Sequence, residues 1–149
     1  FPREGNGWSY RYARRQWNLV DNKELDYHFL GDFDRQMIKV LKSVKNIQKT
    51  PVTEIWHNDG DQVLAFMRGD LVFVFNFSPT RSYTDYGFLV PTGAYDVVLN
   101  TDSKNFGGNG FADDSMTHVT NYDPLYVKDH KEWLKLYIPA RSAVVLKKN

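Results

Sequence analysis

Leu71-Val72-Phe73-Val74-Phe75 is the stretch on which the fold turns. It is apolar on both faces, as expected of a central strand in a sandwich rather than one with a wet side. Gly69-Asp70 separates it from Gln62–Arg68 and reads as a two-residue turn. Further upstream, Glu54–His57 and Gln62–Arg68 flank Asn58-Asp59-Gly60-Asp61. Asp-Gly is a strong hairpin signal, and Gly60 is expected at positive φ there, where a side chain is penalised. Downstream lie weaker strands at Ser82–Tyr86 and Tyr95–Asn100, then a long loop over 101–123 rich in Asp, Asn, Gly and Ser. A last hairpin is expected from Leu134–Ile138 and Ala143–Lys147, joined across Pro139-Ala140-Arg141-Ser142. Short strands with turn signals between them imply a mainly β chain folded as an antiparallel β-sandwich.

The period changes before Thr50-Pro51. From about 22 to 44, Leu30, Phe33, Met37, Leu41 and Val44 recur at spacings of 3, 4, 4 and 3, which places them on one helical face. Asp21 followed by Glu24 offers a helix start, and Gly31-Asp32 is expected to divide the run into a short helix and a longer one. The four large apolar side chains Phe33, Met37, Leu41 and Val44 need cover, so this stripe should fold back on the sandwich or mediate self-association. Residues 1–20 are polar and aromatic without a period and read as an extended loop.

Composition excludes several classes. The 149 residues carry a formal net charge of +1, which gives no global field for nucleic acid or an anionic membrane. Without cysteine there are no disulfides or thiolate metal sites, and no apolar run approaches the length of a membrane span. Aromatic residues reach 15%, which suits both a β-rich core and sugar recognition. The chain opens at Phe1-Pro2 without a methionine, as a piece of a longer protein would.

Nothing in the sequence looks like a complete active site. His28, His57, His118 and His130 have no metal-site spacing. Asp113-Asp114 are adjacent in a loop and poorly suited to holding two carboxyls across a sugar ring, so a solvated turn is expected. Gly107-Gly108-Asn109-Gly110 is not followed by the Lys-Ser/Thr of a phosphate loop. No cofactor and no metal is expected.

Three stretches resemble a known family. Phe1-Pro2-Arg3-Glu4-Gly5-Asn6-Gly7, leading into Ser9-Tyr10-Arg11-Tyr12-Ala13-Arg14-Arg15-Gln16-Trp17, is similar to the end of the catalytic barrel in glycogen branching enzymes of the α-amylase clan. Phe29-Leu30 to Phe33-Asp34-Arg35-Gln36-Met37 resembles the helix that follows. Phe73–Phe77, Ser82–Tyr86, Val98–Asp102, Phe106–Gly108 and Tyr137–Leu146 look like the family's carboxy-terminal β domain. The resemblance implies that residues 1–45 are the last loop and helix of a (β/α)₈ barrel and 46–149 an α-amylase-type C-terminal all-β domain. It also implies that the catalytic carboxylates lie upstream, leaving none in this chain. The implied partners are α-glucan (glycogen) and the rest of the barrel, in a cytoplasmic setting. In such a barrel the βα loops carry the active site. Asn6, Trp8, Tyr10, Arg14 and Arg15 are therefore the candidate substrate contacts. A second reading is a carbohydrate-binding module using Tyr83, Tyr86, Phe106, Phe111, Tyr122 and Trp133. A third is a protein-interaction sandwich.

Overall fold

Residues 14, 16–122 and 131–149 are described by a computed structural model. Among these residues, two α-helices precede nine strands. Helix α1 spans Asn18–Asp21 and α2 spans Tyr27–Lys42. The strands are β1 (Val52–Asn58), β2 (Val63–Arg68), β3 (Leu71–Asn76), β4 (Tyr83–Phe88), β5 (Ala94–Asn100), β6 (Thr117–Val119), β7 (Asn121–Tyr122), β8 (Glu132–Ile138) and β9 (Ser142–Lys148). They form a six-stranded sheet in the order β1-β2-β3-β9-β5-β6 and a three-stranded sheet in the order β4-β8-β7, antiparallel throughout.

The central-strand reading of Leu71–Phe75 holds. Strand β3 lies between β2 and β9, and its alternate residues serve two cores. Val72 and Val74 join Val63, Ala65, Tyr95, Leu146, Phe88, Leu134, Leu136 and Ile138 between the sheets. Leu71 and Phe73 face the other way, toward a second cluster with Leu99, Val145 and helix α2. An all-apolar strand is what a sheet covered on both faces requires.

Helix α2 supplies that second cover, so the apolar stripe does fold back on the sandwich. Its expected face is partly rotated: Phe33, Met37 and Val44 pack inward as expected, but the centre of contact is Val40. Val40 is the buried residue, supported by Phe33 and Met37 and by Val44 just past the helix, while Leu30 is 72% exposed. Gly31 does not divide the helix. It sits inside α2, where a Cβ would meet Val20 at 3.0 Å, so the small residue lets α1 approach. The break falls instead at 22–26, and Asp26 rather than Asp21 is the N-terminal cap residue.

Two hairpins also differ from expectation. Asn58 pairs with Val63, leaving a four-residue loop in which Gln62, not Gly60, takes positive φ (59°). The Asn58 side chain builds that loop by accepting the Asp61 N–H at 2.9 Å, so the polar asparagine does what the glycine was expected to do. At the end of the chain β8 and β9 do not pair with each other. Strand β8 lies in the small sheet and β9 in the large one, and Arg141 at φ 55° turns the chain between them. The 101–123 segment carries a 3₁₀ turn (Lys104–Phe106) and the short strands β6 and β7, so it is not wholly loop. The Gly69-Asp70 turn is as expected: Arg68 pairs with Leu71, and Gly69 has φ 66°.

A buried asparagine joins two of the sheet-to-sheet crossings. Asn76 ends β3, and its Nδ2 shares its two N–H groups among the carbonyls of Arg81 (2.8 Å), Pro139 (3.0 Å) and Ile138 (3.1 Å). Its Oδ1 accepts the Ser78 N–H at 3.0 Å, and the Ser78 carbonyl in turn accepts the Arg141 N–H. The β3–β4 and β8–β9 connections are thus held by one side chain.

Candidate functional site

Of the expected substrate contacts, Arg14 is exposed, while Asn6, Trp8, Tyr10 and Arg15 lie outside the described residues. The acidic pair is engaged locally. Asp113 accepts the N–H (2.8 Å) and hydroxyl (2.6 Å) of Ser115, which hold its carboxyl below the usual range. Asp114 accepts the Asn100 amide at 2.5 Å. The pair is therefore part of a turn, as expected. His28 Nδ1 lies 2.7 Å from the Leu25 carbonyl, and His57 Nδ1 lies 2.7 Å from Glu54 Oε1. His118 is half-buried, which lowers its pKa against the smaller opposing pull of Asp113. His130 is outside the described residues.

The glycine loop cradles an anion, but one belonging to the chain itself. Buried Asp102 accepts backbone N–H groups from Asn109 (3.2 Å), Phe111 (2.6 Å) and Ala112 (3.2 Å). Gly107 and Gly110 take positive φ, and Gly108 passes so close that a Cβ would lie 2.2 Å from the Asp102 carbonyl. Such a nest of N–H groups favours negative charge, and here the carboxylate satisfies it. Sequence spacing excluded a phosphate loop but did not reveal this internal use.

The aromatic candidates divide. Phe106 packs edge-on against Phe33 at 5.4 Å and belongs to the core under α2. Trp133 covers Gly87. Phe111 and Tyr122 are exposed. Tyr83 and Tyr86 come together at 5.3 Å, edge to face, and with them stands a residue the sequence reading passed over, Trp56.

Two irregularities assemble this cluster. The β1–β2 register shifts between Glu54 and Trp56, and the bulge re-aims Trp56 toward the small sheet. The β4–β8 register shifts between Tyr83 and Tyr86, with Asp85 at φ 51°, an uncommon value for a residue with a side chain. In a regular strand Tyr83 and Tyr86 would face opposite ways. The Trp56 indole N–H donates to Tyr86 Oη at 3.1 Å, and Tyr86 donates to Asp61 Oδ2 at 3.0 Å. Tyr83 donates to the Asp61 carbonyl at 3.0 Å. Arg81 lies 5.6 Å over the Tyr83 ring and 3.8 Å from Asp61 Oδ1, and donates to the Gly60 carbonyl. Burial raises the Tyr86 pKa; the Trp56 N–H opposes this and the Asp61 carboxylate adds to it, so Tyr86 stays protonated as the donor.

A two-sheet antiparallel sandwich with a helix on its larger sheet defines a class of appended β domain, and comparison assigns it. The family model described as alpha amylase, C-terminal all-beta domain matches residues 55–149, and the chain belongs to that family. Among curated proteins it is similar to the 1,4-alpha-glucan-branching enzyme of Saccharomyces cerevisiae, 41% identical over 147 residues that make up 98% of this chain and 21% of that protein. The enzyme of the same name from Rhizophagus irregularis is 40% identical over 149 residues, with 98% and 21% covered. That from Equus caballus is 38% identical over 150 residues, with the same coverage. The chain thus spans about a fifth of the length of the curated relatives it matches. No helix among the described residues is long and apolar enough to cross a membrane.

Proposed function

We propose that this chain is the carboxy-terminal part of a 1,4-α-glucan branching enzyme, which cleaves an α-1,4 chain and transfers it to a glucan 6-hydroxyl. The similarity at about 40% identity, spread over nearly the whole chain, is the observation that carries this reading. In this proposal residues 1–45 close the catalytic barrel and 46–149 form the appended all-β domain. Asn6, Trp8, Tyr10, Arg14 and Arg15 then contact the glucan or brace its site from the last βα loop, in a cytoplasmic enzyme. Planar guanidinium groups and flat aromatic rings suit hydroxyls and pyranose faces.

The reaction needs a paired-carboxylate site for a glycosyl intermediate. Asp113 and Asp114 are engaged with Ser115 and Asn100, so the chain alone contributes a scaffold. Two measurements test the proposal. The 149-residue chain alone should leave the iodine stain of amylose unchanged. The longer polypeptide that carries it should shift that stain and yield α-1,6 linkages on debranching. Activity in the isolated chain, or none in the longer polypeptide, overturns the reading. Within the active enzyme, Arg14→Ala should lower kcat with melting unchanged if the side chain contacts the transition state, and lower stability first if it only braces the loop.

A further inference from the structure

We propose that Asn109 is a covalent modification site, converted to isoaspartate through the backbone nitrogen of Gly110, and that the Asp102 nest is the gate that sets when this happens. The inference stands on the geometry of this one loop and does not depend on the proposed α-glucan function.

The dipeptide supplies the chemistry. When glycine follows asparagine, the next backbone nitrogen reaches the side-chain amide with no Cβ in its way. Solvent base takes the Gly110 amide proton, the nitrogen attacks Asn109 Cγ, and the Nδ2 group leaves as ammonia. Water then opens the resulting five-membered succinimide at either carbonyl. Opening at one restores the normal main chain as aspartate. Opening at the other gives isoaspartate, with an extra methylene in the main chain. The Asn109 side chain is exposed and makes no hydrogen bond among the described residues. Its amide carbon is thus open to attack, and control falls to the nucleophile.

That nucleophile is held. Every backbone N–H from Gly108 to Ala112 donates to Asp102 or Ser103. Gly108 donates to the Ser103 carbonyl (3.0 Å), Asn109 to Asp102 Oδ1 (3.2 Å) and Gly110 to the Asp102 carbonyl (2.7 Å). Phe111 (2.6 Å) and Ala112 (3.2 Å) donate to Asp102 Oδ2. The Gly110 bond is at the short end for an N–H donor, so its proton is engaged and its nitrogen is turned away from its own neighbour. The Lys104 stem also lies across this glycine, where a Cβ would meet its Cε at 3.0 Å. Reaction therefore waits for the loop to lift from Asp102, a local opening rather than a global one. The product then keeps the gate open. An added methylene between the Asn109 and Gly110 nitrogens spoils the spacing of consecutive donors, and the new carboxylate stands on a residue whose N–H meets Asp102 Oδ1. Asp102 is only 6% exposed, and a buried carboxylate stripped of donors is costly. The change is one-way, so the loop accumulates a record of its own openings.

The test incubates the 149-residue chain in mildly alkaline buffer, native and in urea. Conversion is followed by peptide mapping with enzymatic methylation of isoaspartate, which separates Asn109-Gly110 from the same dipeptide at Asn6-Gly7. The chain in urea should convert at Asn109, and the native chain about tenfold or more slowly, because only its open fraction reacts. Asp102→Asn should speed conversion in a chain that still melts cooperatively. Asn76→Ala, which weakens the fold away from this loop, should convert as slowly as the unaltered chain well below its melting temperature. Asn109→Gln should show no conversion there, since the longer side chain does not close the five-membered ring. If Asp102→Asn does not fold, amide exchange of Gly110 in the unaltered chain decides instead. The native conversion rate should then equal the unfolded rate multiplied by the open fraction that exchange reads.

An Asn109 that stays unconverted in urea overturns the site. Native conversion at the unfolded rate, a folded Asp102→Asn chain that converts no faster, or a rate that departs from the measured open fraction overturns the gate. Once converted, the chain should lose exchange protection at the Phe111 and Ala112 amides; protection that survives conversion contradicts the one-way change.

Discussion

Asn76 shows how much one residue carries. Its side chain satisfies three carbonyls and one N–H in the buried corner where the β3–β4 and β8–β9 crossings meet. Truncation in Asn76→Ala leaves these groups without water or partner, so a loss of about 3 kcal/mol is expected in chemical denaturation. Asn76→Asp should be no better, since a carboxylate would face carbonyl oxygens; full stability in either variant would contradict the clamp. The histidines give a second test at this scale. The hydrogen bond and charge of Glu54 should make His57 titrate above the ordinary value of 6.5, whereas His118 should titrate below it because of burial. The depressed His118 contributes stability that is present above 6.5 and is lost as the pH falls through its folded-state value. NMR titration of the imidazole protons should therefore place His57 above His118, and Glu54→Gln should bring His57 back toward 6.5. A reversed order would refute both assignments.

At the scale of elements, helical periodicity located α2 and most of its inward face. Of Leu30, Phe33, Met37, Leu41 and Val44, the side chains Phe33, Met37 and Val44 pack against the cluster of Leu71, Leu99 and Val145, but the helix residue buried within it is Val40, and Leu30 is exposed. Periodicity marks an apolar face, and the sheet beneath decides which edge of that face is buried. Val40→Asp should cost about 3 kcal/mol or more by burying an unpaired carboxylate, while Leu30→Ser should stay within about 0.5 kcal/mol. Equal effects on the thermal midpoint would mean that the helix is docked in another phase. The terminal strands follow the same logic. Leu134–Ile138 and Ala143–Lys147 read as hairpin partners because they are close in sequence, yet they lie in different sheets. Arg141 holds positive φ at that crossing, so Arg141→Val should lower stability by about 1–2 kcal/mol on denaturant melting, more than Arg141→Ala.

Across the whole molecule, α2 and the large sheet form one packed layer, although the helix belongs to the part proposed to close a barrel. A chain that begins at residue 46 would uncover Leu71, Phe73, Leu99, Val145 and Phe106 together. An apolar face of that kind is a sticky patch. Such a shortened chain should melt at a lower temperature than the full 149 residues and associate in light scattering. A stable, monodisperse product would show that the helix contributes little to the fold. The sheet continues past the helix as a ladder of rings, with Phe66 stacked on Phe73 at 4.8 Å and Phe75 on Phe77 at 5.6 Å.

By itself the sequence determined the class of fold, the positions of seven of the strands and the Gly69-Asp70 turn. These depend on local alternation, turn chemistry and the burial demanded by Leu71–Phe75, all of which act over a few neighbouring residues. It also determined the family, through motifs kept in order along the chain. The tertiary structure alone decided that β8 and β9 part between two sheets, that Asp102 fills its own glycine nest, and that Trp56 meets Tyr83 and Tyr86. The first and last depend on contacts between segments distant in sequence, the Asp102 nest on a loop folding back over seven to ten residues, and the last also on two bulges that each shift a strand by one residue. A one-residue shift reverses the face a side chain points to, and no local pattern records it.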